Sequence, residues 1–78
     1  MNSVQIGKRL IELRGSRTQE EIARDNGISV SAIGMYERGE RIPRDEIKIK
    51  LAKYYGVSVG QIFFDSDDTE SVADEVKS

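Results

Sequence analysis

The chain has 78 residues, 12 Lys/Arg against 14 Asp/Glu, a formal net charge of −2, and neither Cys nor His. That length holds one core and no second domain, and the missing residue types exclude disulfides, thiolate chemistry, the usual zinc sites and the commonest general base. No apolar run approaches a membrane span and the N-terminus lacks the apolar stretch of a signal peptide, so the expectation is a soluble, cytoplasmic protein without metal or cofactor.

Apolar spacing predicts five short helices, with no lasting strand-like alternation. In the first, Ile6, Leu10 and Leu13 share a face, and Gly15-Ser16 ends it. Thr18-Gln19-Glu20-Glu21 is a capping box: the Thr18 hydroxyl accepts from the Glu21 amide while the Glu21 carboxylate accepts from the Thr18 amide. Ile22 and Ala23 follow, and Asn26-Gly27 tolerates the left-handed conformation that closes a helix. A third helix has Ser29 as N-cap, turns Ile33 and Tyr36 inward and stops at Gly39. Glu40 to Arg44 forms a basic loop. The fourth helix runs from Asp45 to Tyr55 with Ile47, Leu51, Ala52 and Tyr55 as its buried stripe, and Ser58-x-x-Gln61 opens a last one carrying Val59, Ile62 and Phe63.

The charge is unevenly spread. Residues 1–64 hold eleven Lys/Arg and eight Asp/Glu, a balance of +3, whereas residues 65–78 set Asp65, Asp67, Asp68, Glu70, Asp74 and Glu75 against Lys77, a balance of −5. This divides the chain into a folded domain over 1–64 and an acidic tail over 65–78 with little to bury, expected to be disordered. A mildly basic body keeps a polyanionic partner open despite the negative total.

The informative stretch is Gln19 to Gly39. Two helices cross steeply at a tight turn only where the first is thin, which Ala23 provides, and where the turn admits positive φ, which Gly27 provides. Ile22, Ile28, Ile33 and Tyr36 stand where apolar residues seal such a pair. These offsets are a helix-turn-helix signature, although a plain helical hairpin shares much of it.

The run TQEEIARDNGISVSAIGMYERGERIP, with IGKRL before it and KLAKYYGVSVGQIF after it, resembles the lambda-repressor-like (Xre/Cro-type) helix-turn-helix family across roughly residues 4–64. The resemblance implies an all-α, compact five-helix DNA-binding domain whose second and third helices form the helix-turn-helix. It implies a homodimer on double-stranded DNA, acting as a repressor, with the helix near residues 30–38 reading the major groove. By the same resemblance Gln19 contacts the DNA backbone, Val30, Ser31 and Met35 meet base edges, Arg38, Arg41 and Arg44 contact phosphates, and Arg14 pairs with Glu37. Arg17, next to the second helix, is a further phosphate candidate. Asn26 and Lys48 depart from the family pattern, standing where apolar residues are usual, and the link from Arg14 to Gln19 is short.

Each site has a plainer reading. Ser31 also serves as a helix-start residue, Val30 and Met35 as packing in the core or between subunits, and arginines spaced by three as a solvated run. Val30 and Met35 otherwise suit thymine methyl groups, which are read by apolar contact. Tyr54, Tyr55 and Phe63 are expected in the core, with Phe64 at a subunit interface. An alternative function is a protein-interaction module, such as an antitoxin, whose partner is a toxin or an antirepressor. An enzyme is not expected: no carboxylates and lysines pair in a pocket, and so small a helical chain offers little concavity.

Overall fold

Among the described residues, four of the five helices begin where a short polar side chain substitutes for the carbonyl that a first-turn amide lacks. The computed structural model describes residues 2–64, which form α1 (Ser3–Arg14), α2 (Gln19–Asn26), α3 (Val30–Arg38), α4 (Asp45–Tyr55) and α5 (Val59–Phe63). Asn2 with Gln5, Thr18 with Glu21 and Ser58 with Gln61 each make a complete capping box, and the Ser29 hydroxyl accepts from the Ala32 amide at 3.0 Å. Only α4 starts without a side-chain cap; Asp45 and Glu46 place negative charge in its first turn, against the positive end of the helix dipole. The tail over 65–78, with its expected disorder, lies outside the described residues.

The core is built around Ile22, Leu51 and Ile62, one each from α2, α4 and α5 and all fully buried. Ile6 and Leu10 from α1, Ile33 and Tyr36 from α3, and Phe63 close around them. Burying one such aliphatic side chain stabilises a fold by about 1.5–3 kcal/mol. The expected stripes of α1, α3, α4 and α5 all face this core, with Leu13, Ile47, Tyr55 and Val59 at its half-buried edge.

The most intimate helix crossing is α1 on α3. Gly7 is buried there against the main chain of Tyr36 and Glu37, so closely that a Cβ at residue 7 would lie 2.9 Å from the Tyr36 carbonyl oxygen. Arg9 ties the same helix to α5, donating from Nη1 to the carbonyls of Gln61 at 2.7 Å and Phe64 at 3.2 Å. These are last-turn carbonyls that a five-residue helix leaves without internal partners.

The two polar departures are accommodated differently. Asn26 is buried and donates from Nδ2 to the Ile22 carbonyl at 2.8 Å, turning back onto its own helix. Lys48 runs its stem along aromatic surface, with its ammonium 5.8 Å from the Phe63 ring centroid, 5.3 Å from that of Phe64 and 3.6 Å from Asp45 Oδ1.

Candidate nucleic-acid interface

The turn between α2 and α3 is made by three residues. Gly27 takes φ 66° and ψ 34°, a left-handed conformation that a Cβ would strain. The Ile28 amide then donates to the Ala23 carbonyl at 2.9 Å, and Ser29 caps α3. Ile22, Ala23, Ile33 and Tyr36 are buried, and Ile28 packs at the edge of the same cluster. The second helix is therefore thin where the third crosses it, and the paired helices share the core rather than a separate seam.

A three-helix polar junction fixes this pair against α1. Glu37, on the inner side of α3, is buried. Its Oε2 accepts from Arg14 Nε at 2.7 Å and its Oε1 from Arg14 Nη2 at 3.0 Å, a bidentate fork. Oε1 also accepts from Gln19 Nε2 at 2.8 Å. The hydrogen bonds to Glu37 raise the Arg14 pKa above its ordinary value, against the opposing effect of burial. Arg14 Nη1 donates to the Arg17 carbonyl at 2.8 Å, so the short link from α1 to α2 is itself tied to the junction.

Arg17 is engaged elsewhere. Its Nη2 donates to the Leu13 carbonyl at 3.1 Å, and its guanidinium carbon stands 5.2 Å and 5.4 Å from the ring centroids of Tyr54 and Tyr55. The Tyr54 hydroxyl in turn donates to Asp25 Oδ2 at 2.7 Å. Tyr54 and Tyr55 are half-buried, Phe63 is buried and Phe64 is 52% exposed.

On the outer side of α3, Val30 and Ser31 are exposed and Met35 is half-buried. Arg38, Arg41 and Arg44 are all exposed, but they are not equivalent. Arg41 and Arg44 make no ion pair among the described residues, whereas Arg38 is forked by Glu40, with Nε to Oε2 at 2.9 Å and Nη2 to Oε1 at 3.2 Å. That pairing raises the Arg38 pKa and lowers that of Glu40, first through the hydrogen bonds themselves. Sequence spacing groups the three arginines; the carboxylate two residues on separates them, and nothing in the spacing announces which arginine it holds. Gln19 likewise has a role beyond the spacing, since its side-chain amide reaches Glu37.

No helix among the described residues is long and apolar enough to cross a membrane. Residues 8–62 match the helix-turn-helix family. A transcriptional repressor of the cryptic phage CTXphi of Vibrio cholerae, RstR, is 39% identical over 49 residues, which are 63% of this chain and 44% of the repressor. The matched stretch is thus under half of that protein. An uncharacterized helix-turn-helix-type transcriptional regulator of Methanocaldococcus jannaschii is 37% identical over 51 residues, 65% of this chain and 77% of the regulator. No solved structure matches the chain at a significant level. With α2 and α3 in this geometry and most of the chain matched, the chain belongs to the lambda-repressor-like family of helix-turn-helix DNA-binding regulators.

Proposed function

We propose that the chain is a sequence-specific repressor of the phage-repressor/Cro type, which binds double-stranded DNA as a homodimer with α3 in the major groove. The observation that carries this is the division of α3 along its length. Ile33, Tyr36 and Glu37 hold it to the body, while Val30 and Ser31 are left exposed, as are Arg41 and Arg44 in the loop that follows. An α-helix is about 10–12 Å across with its side chains, which suits a groove about 12 Å wide. The phage relative is a transcriptional repressor, which supports repression here.

In this reading Arg41 and Arg44 neutralise phosphates and Gln19 meets the backbone from the start of α2, which fixes register without reading sequence. Ser31 offers a hydroxyl to a base edge, and Val30 and Met35 meet thymine methyls. Arg17, committed to carbonyls and tyrosine rings, contributes packing rather than phosphate contact. One short helix reads few base pairs, so two copies on a two-fold site are required for useful specificity. Ile49 (51% exposed) and Phe64 (52% exposed) offer the second copy an apolar surface.

The test is fluorescence anisotropy against a randomised duplex pool and then its enriched site, repeated across salt. A two-fold site is expected, with log K falling by about 0.9 per phosphate contact as log salt rises, and with Arg41→Ala and Arg44→Ala each lowering that slope by about 0.9. Ser31→Arg is expected to change the enriched sequence without unfolding the domain. An unchanged preference in that variant removes α3 from base reading, and a wild-type chain that enriches nothing rejects the regulator.

A further inference from the structure

Arg38 stands on the outer side of α3 with Ser31, Gly34 and Met35, the positions turned away from Ile33 and Tyr36. Helical side chains lean toward the N-terminus, and this one folds back about one turn. A Cβ built on Gly34 would lie 2.9 Å from Arg38 Nη1, so the guanidinium occupies the space that a side chain at residue 34 would take. It therefore sits over the middle of the helix rather than beyond its end.

Glu40 fixes the orientation. It accepts from Nε and Nη2, one edge of the planar fork. A guanidinium has five N–H donors, so the Nη1–Nη2 edge keeps donors that this pairing does not use. Two donors side by side in that fork are the arrangement that meets guanine O6 and N7 bidentately. A phosphate contact has no use for such orientation, and the Glu40 carboxylate beside it would oppose an approaching phosphate. On the rest of the outer face, Val30 and Met35 carry no strong hydrogen-bonding group, and Ser31 brings one hydroxyl.

We propose that Arg38, seated over Gly34 and oriented by Glu40, reads a guanine in the major groove and so determines sequence preference instead of anchoring the phosphate backbone. The assignment rests on the placement of α3 proposed above. Glu40 is a positioning residue, and Gly34 is small because the guanidinium needs its place.

The test compares the sequences enriched from a randomised duplex pool by the full chain and by Arg38→Ala, Gly34→Ala and Glu40→Gln. The wild type is expected to select guanine at one position of each half-site. Arg38→Ala should lose about 10- to 100-fold of discrimination there and leave the other positions unchanged. Replacing that guanine by 7-deazaguanine, which lacks the N7 acceptor, should weaken the wild type and leave Arg38→Ala unaffected. Gly34→Ala and Glu40→Gln should relax the same position alone, with unfolding curves showing that both variants fold. If Arg38→Ala instead weakens binding equally on every sequence and lowers the salt slope by about 0.9, Arg38 is a phosphate contact and the assignment is overturned while the regulator stands. A wild type that enriches no sequence overturns both.

Discussion

Two glycines on neighbouring helices should respond to the same substitution with opposite signs. An Ala in place of Gly within a helix gains about 1 kcal/mol of propensity. At Gly7 the added methyl meets main chain, 2.8 Å from the Glu37 carbonyl carbon and 2.9 Å from the Tyr36 oxygen. Neither atom swings aside, so α1 must withdraw from α3 by roughly 0.5–1 Å, a gap that forfeits a quarter to a half of the dispersion attraction across it. Overpacking costs about 1–3 kcal/mol, and an immovable neighbour puts this case near the top of that range. The net loss for Gly7→Ala is then about 2 kcal/mol, from a total of about 3–9 kcal/mol for a domain of this size. Tm should fall by roughly 8–16 °C. At Gly34 the methyl meets only the guanidinium of Arg38, which can be displaced from its exposed pairing with Glu40 at a small cost, so Gly34→Ala should keep most of its gain and raise Tm by up to about 8 °C. Urea unfolding followed by circular dichroism reads both variants, since the chain has no Trp to report by fluorescence. A Gly7→Ala chain as stable as the wild type, or a Gly34→Ala chain that loses as much as Gly7→Ala, refutes the close-approach argument.

Two further outcomes follow from the polar junction. Glu37→Ala strands the Arg14 guanidinium, and breaking such a pair costs about 3–5 kcal/mol; with the Arg14 side chain 21% exposed, the lower end is expected. Replacing both partners by Met should restore most of that loss, and a single variant within about 1 kcal/mol of the wild type in urea would show the junction to be dispensable. Beside it, burial first and the Glu37 charge second push the Tyr55 hydroxyl from its ordinary 10.0 up to about 12. The folded-state pKa is the higher one, so this contribution is fully present below pH 10 and lost as pH rises from 10 to about 12. Stability should fall across that window in the wild type and lack this step in Tyr55→Phe. Parallel curves for the two proteins contradict the argument.

What the sequence discloses follows the range of the interactions. Thr18 with Glu21 and Ser58 with Gln61 are three residues apart, and the Asn26-Gly27 closure is adjacent, so residue type and spacing define these ends without tertiary information. The stripes of Ile6 and Leu10, or Leu51 and Ala52, are periodic and visible for the same reason. The close approach at Gly7 depends on where α3 crosses α1, some thirty residues away in the chain, and no local pattern marks it. Arg38 shows the limit at the interface itself. Its spacing from Arg41 and Arg44 is regular, but its orientation depends jointly on a missing side chain at 34 and a carboxylate at 40. Gln19 and Lys48 are similar cases, since each side chain reaches a group outside its own helix, Glu37 for the one and the rings of Phe63 and Phe64 for the other.

The lengthwise division of α3 also has a consequence for how such a protein changes. This helix is held to the body chiefly through Ile33, Tyr36 and Glu37, with Ala32 at the edge of the same cluster, while Val30, Ser31 and Arg38 stand outside the packed interior. Substitutions on the outer half are therefore close to neutral for folding, and recognition can drift or be transplanted without re-solving the scaffold. The exception is Gly34, where a larger residue leaves the body intact but displaces its neighbour at 38. A graft that copies only the residues facing outward, and overlooks the one with no side chain, would transfer the letters of the recognition surface without its spelling.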